Sequence, residues 1–202
     1  MALGLAACGV NDLDRPPVPL GDFALGFNVV VAPNLVKGPT SREATEEEWI
    51  AALSEAIEAR FGRYEGDRLY HFGVSVDGYV LAQPGIPLVF TPRSALIIKV
   101  TVWDDAAGVK MNPEAHQITV TEAFSERTML GSGNTQTREE QLASLSASAA
   151  KAIERWLVRR NAEDGWFVPA QAGLADAAGQ DAGGAAVPGQ AGDPATAGAP
   201  AQ

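Results

Sequence analysis

The chain has 202 residues, of which 46% are hydrophobic and 20% are charged, so it is long enough for one folded domain with additional segments. The 15 Lys and Arg residues are outnumbered by 25 Asp and Glu residues, and a net charge of −10 argues against binding to the phosphate backbone of nucleic acids. A single cysteine excludes an intramolecular disulfide and a zinc site built from several cysteines.

The N-terminus is an apolar run that ends at this cysteine. Leu5, Ala6 and Ala7 directly precede Cys8. Small side chains before the thiol leave an extended backbone that a signal peptidase can reach. The four residues resemble the lipobox of bacterial lipoproteins. The resemblance implies that residues 1–7 are the end of a signal peptide and that Cys8 carries acyl chains such as palmitate.

The lipoprotein resemblance also predicts a location. An acylated Cys8 implies export and a membrane anchor, and Gly9 in the next position implies the periplasm-facing side of the outer membrane. A secretory signal has a basic segment before its apolar core, whereas the first cation of this chain is Arg15. The alternative of a cytosolic protein with an incidental cysteine therefore stays open.

The composition predicts three segments after the signal peptide. Residues 8–24 are expected to form a lipidated tether, residues 25–168 one folded domain, and residues 169–202 a disordered tail. The tail is rich in Ala, Gly and Pro, and Leu174 and Val187 are its only large aliphatic residues. Such a segment buries too little apolar surface to offset the entropy of ordering it.

Two helices are predicted by the same N-terminal signal. Thr45 is followed three residues later by Glu48, and Thr137 by Glu140, which is the spacing of a capping box. The first helix is expected to end at Gly62. Apolar residues at helical spacing follow each box: Ile50, Leu53, Ile57 and Phe61 in the first helix, and Leu142, Leu145, Ala149, Ile153, Trp156 and Leu157 in the second.

Four strands are predicted, over residues 27–32, 69–81, 95–103 and 117–124. The second strand alternates apolar and polar residues, and Gly78 is expected to introduce a bulge. The order β-α-β-β-β-α predicts a single α+β domain, with a mostly antiparallel four-stranded sheet and both helices on one face.

This order resembles, in topology only, small envelope assembly lipoproteins. The resemblance implies a non-catalytic binding or assembly module whose partners are the membrane, through the lipid anchor, and an envelope protein complex. Nucleic acid is not an expected partner, and no cofactor is expected.

A metal site is not expected. His71 and His116 are the only histidines, and a third ligand would have to come from Asp77, Asp104 or Glu122. Nothing in the spacing of these residues brings them together.

A catalytic site is not expected either. Asp104 and Asp105 are adjacent carboxylates, but they precede Gly108 in a sequence typical of a turn, in which the carboxylates accept hydrogen bonds from local amides. No nucleophile is accompanied by a base at a known spacing. The sequence therefore predicts no catalytic residue and no enzyme.

The large aromatic residues allow two interpretations. Exposed together, they would form a contact patch for a partner; buried, they would complete the core. The candidates are Trp49, Trp103, Trp166 and Phe167.

A second functional alternative is a periplasmic small-ligand binder or enzyme. Its site would lie on the sheet face opposite the helices, with contacts from His71, Asp77 and Tyr79. A pocket that contains these three side chains would support this alternative.

Overall fold

A computed structural model describes residues 12–83, 94–121 and 137–167, all within one compact unit, Met1–Val168. The predicted α+β class is confirmed, because these residues form one sheet and two helices. In chain order the elements are β1 (Ala24–Val31), β2 (Val36–Lys37), α1 (Glu46–Phe61), β3 (Leu69–Val80), β4 (Ala95–Asp104), β5 (Val109–Lys110), β6 (His116–Thr121) and α2 (Arg138–Asp164).

The sheet is mixed rather than simply antiparallel. Strands β3 and β4 form its antiparallel centre, and β5 and β6 pair antiparallel with the other edge of β4. Strands β1 and β2 instead pair in parallel with β3. Helix α1 connects these parallel strands, since a parallel pair needs a long crossover connection. The two-residue strands β2 and β5 are too short to leave a pattern in the sequence.

Both helices begin as predicted. The capping boxes of Thr45 with Glu48 and of Thr137 with Glu140 are both formed, so two amides at each helix start have partners. Helix α1 stops at Gly62, and α2 continues to Asp164 before Gly165 ends it in a left-handed conformation. Within the three described ranges, no helix is long and apolar enough to cross a membrane.

The core lies between one face of the sheet and the two helices. Helix α1 packs on β1, α2 packs on β4 and β6, and the helices pack on each other. Alternate residues of β3 and β4 point to this side and are buried. Phe23 lies at the centre of an aromatic cluster, with its ring 5.4 Å from that of Tyr70 and 5.1 Å from that of Phe167.

Much of the segment predicted as a tether, residues 8–24, packs on the domain. Leu20 and Phe23 are fully buried, so residues 12–24 belong to the folded domain. The prolines of this segment suit a tether, but its two large apolar residues fill the core. Cys8 and the tail of residues 169–202 lie outside the described residues, as does Glu122.

The N-terminal segment also meets the end of α2. The amide of Asp22 donates to the Phe167 carbonyl over 2.9 Å, and the Asn161 side chain bonds both Leu20 and Phe167. Gly21 has a φ of +89°, and a Cβ there would lie 2.6 Å from the Phe167 oxygen. Only glycine fits this junction.

The predicted bulge at Gly78 is confirmed. The register with β4 shifts between Val76 and Gly78, which turns Tyr79 toward the helices. The Tyr79 hydroxyl is 2.9 Å from the Ala44 carbonyl and 3.0 Å from the Ala44 amide. Tyr79 is therefore buried on the core side and does not belong to the opposite face.

Candidate partner-binding surface

The sheet face that points away from the helices carries a row of exposed apolar side chains. Phe27 is 71% exposed, Val29 55% and Val31 45%, and all three alternate along β1. Leu69 on β3 and Trp103 on β4 extend this surface, which we call the open face. Monomers rarely leave several neighbouring large apolar residues in water, so the open face is a candidate interaction surface.

The edge formed by β1 is only partly protected against strand pairing. Among the described strands, β1 pairs only with β3, so its other side presents unpaired main-chain groups. Edge strands are commonly blunted by charged residues or proline. The β1 sequence, Ala-Leu-Gly-Phe-Asn-Val-Val-Val, contains neither. A bulge interrupts its first half, but residues 28–31 continue in regular register with β3.

His71 fastens the bulge of β1 to the turn after β4. Its Nδ1 accepts the Phe27 amide over 2.8 Å, and its Nε2 lies 2.8 Å from an Asp105 carboxylate oxygen. A Cβ on Gly26 would lie 2.3 Å from the ring, so glycine is required beneath it. Both ring nitrogens are thus engaged, and the sequence pattern gave no signal for this role because the partners are distant along the chain.

The ligand site expected from His71, Asp77 and Tyr79 is not assembled. Asp77 accepts one hydrogen bond from Ser75 and is 2.6 Å from the Lys99 ammonium, and Lys99 and then Ser75 lower the pKa of the carboxyl. His71 and Asp77 lie six residues apart on β3, or about 20 Å. Tyr79 faces the core. No trio of metal-binding side chains occurs in the parts of the chain that are described.

The adjacent carboxylates form the predicted turn. One Asp104 oxygen accepts the Ala107 amide over 3.0 Å, and the other is 2.6 Å from Arg68. Asp105 instead reaches His71. The two side chains therefore have separate partners, as expected for neighbouring residues at the end of a strand.

Of the two interpretations of the large aromatic residues, burial in the core holds for two of the four candidates. Trp49 and Phe167 are fully buried and cannot touch a partner, which corrects their assignment as contact residues. Trp166 is half-buried, with Arg160 above its ring at 5.4 Å. Trp103 alone of the four lies on the open face, 39% exposed, with Lys110 5.2 Å from its ring.

A groove of about 480 Å³ lies between residues 111–117 and the C-terminal half of α2. The His116 ring stacks on Trp156 at 4.5 Å in one wall of the groove. Burial lowers the pKa of His116, and the positive charges of Arg159 and Arg160 lower it further. The surroundings of His116 in the groove therefore favour its neutral form.

A buried ion network holds the N-terminal segment, at Asp12, against both helices. Arg60 of α1 lies 2.7 Å from Asp12 and 2.8 Å from Glu154 of α2, and both Arg60 and Glu154 are buried. Lys151 adds a second cation 2.9 Å from Asp12. Hydrogen bonds from Arg60 and then Lys151 hold the pKa of Asp12 far below its ordinary value.

Tyr64 and Arg63 also bind the N-terminal segment. The Tyr64 hydroxyl lies 2.8 Å from the Val18 carbonyl and 3.0 Å from Glu154, and burial raises the pKa of Tyr64 well above its ordinary value. Arg63 donates to the backbone carbonyls of Leu13 and Arg15. The backbone from Asp12 onward therefore has a defined path.

The sequence matches no protein-family model and no curated protein. Solved structures with a similar arrangement include a candidate lipoprotein of Caulobacter crescentus CB15, 17% identical, covering 64% of this chain and 90% of its own, with a TM-score of 0.36. Protein XCC0632 of Xanthomonas campestris, described as DUF330, is 12% identical over 72% of this chain and 88% of its own, with a TM-score of 0.38.

A third similar structure is the PelC dodecamer of Paraburkholderia phytofirmans. It is 12% identical over 65% of this chain and 88% of its own, with a TM-score of 0.35. At these identities and TM-scores, the similarities assign the chain to no family and no activity.

Proposed function

We propose that this protein is an envelope lipoprotein, anchored through Cys8 to the periplasm-facing side of the outer membrane, that acts as a non-catalytic binding module in a protein complex. In this proposal, β1 receives an extended, uncharged segment of the partner as an additional strand. The observation that carries the binding role is the uncharged edge of β1 with Phe27, Val29 and Val31 exposed beside it.

Strand addition uses both properties of this edge. The partner's backbone would bond the unpaired main-chain groups of β1, and its alternate side chains would lie beside the apolar row of the open face. An uncharged partner segment fits because a charged side chain would lose water against Phe27 and Val29 without gaining an ion pair. The alternative site near His71 and Asp77 is not proposed, because both side chains are already bonded within the sheet.

The anchor is tested separately from the binding role. Cells that produce the full chain are fed a fatty-acid analogue, and label on the wild type is compared with label on Cys8→Ala. We expect the wild type alone to carry the fatty-acid label and to be recovered in the membrane fraction. Equal labelling or equal fractionation of the two chains would refute the anchor.

The binding role is tested with two matched substitutions of exposed valines. Val29→Lys places a charge on the β1 edge, whereas Val109→Lys places the same charge on β5, at the other side of the sheet. In complexes extracted from the envelope, Val29→Lys is expected to abolish the partner's association, and Val109→Lys to preserve it.

Hydrogen exchange identifies the mode of binding. In the wild-type complex, amides of residues 28–31 are expected to exchange more slowly than in the isolated chain, because an added strand pairs with the β1 backbone. Retention of the partner by Val29→Lys, or unchanged exchange along β1, would rule out strand addition.

A further inference from the structure

Helix α2 carries a stripe of positive charge on its solvent side. Lys151, Arg155 and Arg159 follow one another at intervals of four residues, so they lie on one side of the helix over about 12 Å. Arg155 and Arg159 are exposed, and Lys151 is half-buried at the start of the row. We call these three residues the cationic stripe.

The two arginines of the cationic stripe are poorly neutralised, whereas Lys151 is paired with Asp12. Between residues 141 and 162 the only acidic residue of α2 is Glu154, which is buried and bound to Arg60. Within the described part of the chain, neither Arg155 nor Arg159 forms a salt bridge, whereas Arg60, Arg68, Arg138 and Arg160 all do. A local row of cations therefore stands out from a chain of net charge −10.

The cationic stripe begins where the anchor would reach the domain. The Lys151 ammonium is 2.9 Å from Asp12, and Asp12 is four residues after Cys8. Four residues span at most about 14 Å even when fully extended. A bilayer that holds acyl chains on Cys8 therefore lies close to the Lys151 end of the stripe.

We propose that the cationic stripe docks on anionic phospholipid headgroups of the membrane in which Cys8 is anchored. Helix α2 then lies along the bilayer surface. The open face is directed away from the membrane, since both helices pack on the opposite face of the sheet. This orientation rests on the proposed anchor and leaves the β1 edge accessible to a partner.

The short connection from Cys8 and the cationic stripe favour the same orientation of the domain on the membrane. The short connection from Cys8 to Asp12 restricts which surfaces of the domain can meet the bilayer, and the positive charge selects one of them. Each Lys or Arg near an anionic surface favours association by about fivefold, so Arg155 and Arg159 together favour the docked orientation by roughly 25-fold, because Lys151 is already paired with Asp12. The effect is confined to short range by salt, which suits a domain held close to the bilayer.

The orientation is tested on the full chain coupled to vesicles. Cys8 is the only cysteine, so its thiol can be joined to a maleimide lipid. Vesicles of phosphatidylcholine with and without phosphatidylglycerol are compared. Acylation of lysines and modification of arginines by phenylglyoxal are followed by mass spectrometry. Lys99 and Lys110, on the strands rather than on α2, serve as internal references.

We expect residues of the cationic stripe to react at least about fivefold more slowly on anionic than on neutral vesicles, while Lys99 and Lys110 react at unchanged rates. In the double variant Arg155→Gln/Arg159→Gln, Lys151 should regain the rate found on neutral vesicles. The matched variant Lys99→Gln/Lys110→Gln, with the same change of net charge, should keep Lys151 protected. High salt should abolish the protection.

Equal rates on the two kinds of vesicle would overturn the orientation, and so would equal loss of protection in the two double variants. Because the maleimide lipid imposes the anchor, this result is independent of acylation in cells. Absence of fatty-acid label on Cys8 would refute the proposed anchor. Label without protection of Lys151 would refute only the orientation.

Discussion

Arg60 is the residue at which the N-terminal segment and the two helices meet. Replacing it with Met removes the guanidinium but leaves Glu154 buried and negatively charged. We expect Arg60→Met to lower the free energy of unfolding by about 3–5 kcal/mol, the usual cost of an unpaired buried charge. Urea unfolding measures this change.

A control separates the buried pair from an exposed one. Arg138 binds Glu48 with both side chains about one-third exposed, so Arg138→Met should cost about 1 kcal/mol or less. The double variant Arg60→Met/Glu154→Leu should regain most of the stability that Arg60→Met loses, because no charge is then left buried. Similar losses for Arg60→Met and Arg138→Met would contradict this account.

His116 makes stability depend on pH. Its pKa is lowered in the folded chain by burial and by Arg159 and Arg160, so the unfolded chain binds the proton more tightly. Stability from this residue is present above the unfolded pKa of about 6.5 and is lost as the pH falls through the lower folded value. Between about pH 7 and pH 5.5, wild type should lose stability and His116→Phe should lose less.

Urea unfolding at the two pH values measures this difference, and NMR titration of the two histidines gives the pKa directly. Phenylalanine keeps an aromatic ring against Trp156, so the stacking contact is preserved in the variant. An identical pH dependence of the wild type and His116→Phe would show that His116 is not responsible.

At the scale of the element, the start of α1 also connects it to α2. Glu48 closes the capping box at Thr45 and accepts two hydrogen bonds from Arg138, at 2.6 and 2.7 Å. The hydrogen bonding from Arg138, and to a smaller extent that from the Thr45 amide, lowers the pKa of Glu48 to about 2. One carboxylate thus stabilises a helix end and a contact between helices.

Substitutions can separate these two roles. Thr45→Ala should reduce the free energy of unfolding by about 1 kcal/mol, and Thr45→Ser should leave it nearly unchanged. Glu48→Ala should cost more than Thr45→Ala, because it also removes both bonds to Arg138. Thermal unfolding of the three variants provides the ranking. A smaller effect for Glu48→Ala than for Thr45→Ala would contradict the shared role.

The elements themselves were largely predictable, because caps and periodicity are local signals. Trp49 shows where local information ends. The predicted apolar stripe of α1 begins at Ile50, whereas the buried stripe runs through Trp49, Leu53 and Ile57. Apolar residues at both 49 and 50 fit either rotation of the helix, and only packing against the sheet and α2 decides between them.

Long-range pairing was beyond the sequence pattern. The parallel pairing of β1 with β3 depends on the crossover through α1, and no residue of β1 encodes it. The His71 contacts depend on a bulge and a turn that lie 44 and 34 residues away. The exposed row on the open face was missed for the same reason, since an apolar strand has the same pattern whether or not its outer face is covered.

At the scale of the whole molecule, the core of the described residues extends to Phe167 at the end of the last described range. Phe167 is buried against Phe23 and Tyr70, so Phe167→Ala should lower the free energy of unfolding by about 3–5 kcal/mol.

The tail composition predicts that removal of residues 169–202 changes the free energy of unfolding by less than about 0.5 kcal/mol. Urea unfolding of the two variants beside the full chain tests both expectations, and a large loss on truncation would assign a packing role to the tail.

The contact between the N-terminal segment and Phe167 also constrains the order of folding during synthesis. The chain emerges with residues 20–23 first and Phe167 almost 150 residues later. Until that last aromatic ring has been synthesised, Phe23 lacks one of its aromatic neighbours and the Asp22 amide lacks its acceptor. The final packing of the core therefore waits until residue 167 has been synthesised. A chain stalled before residue 167 leaves Phe23 and Tyr70 without this covering ring, which favours binding by chaperones that hold incompletely folded chains.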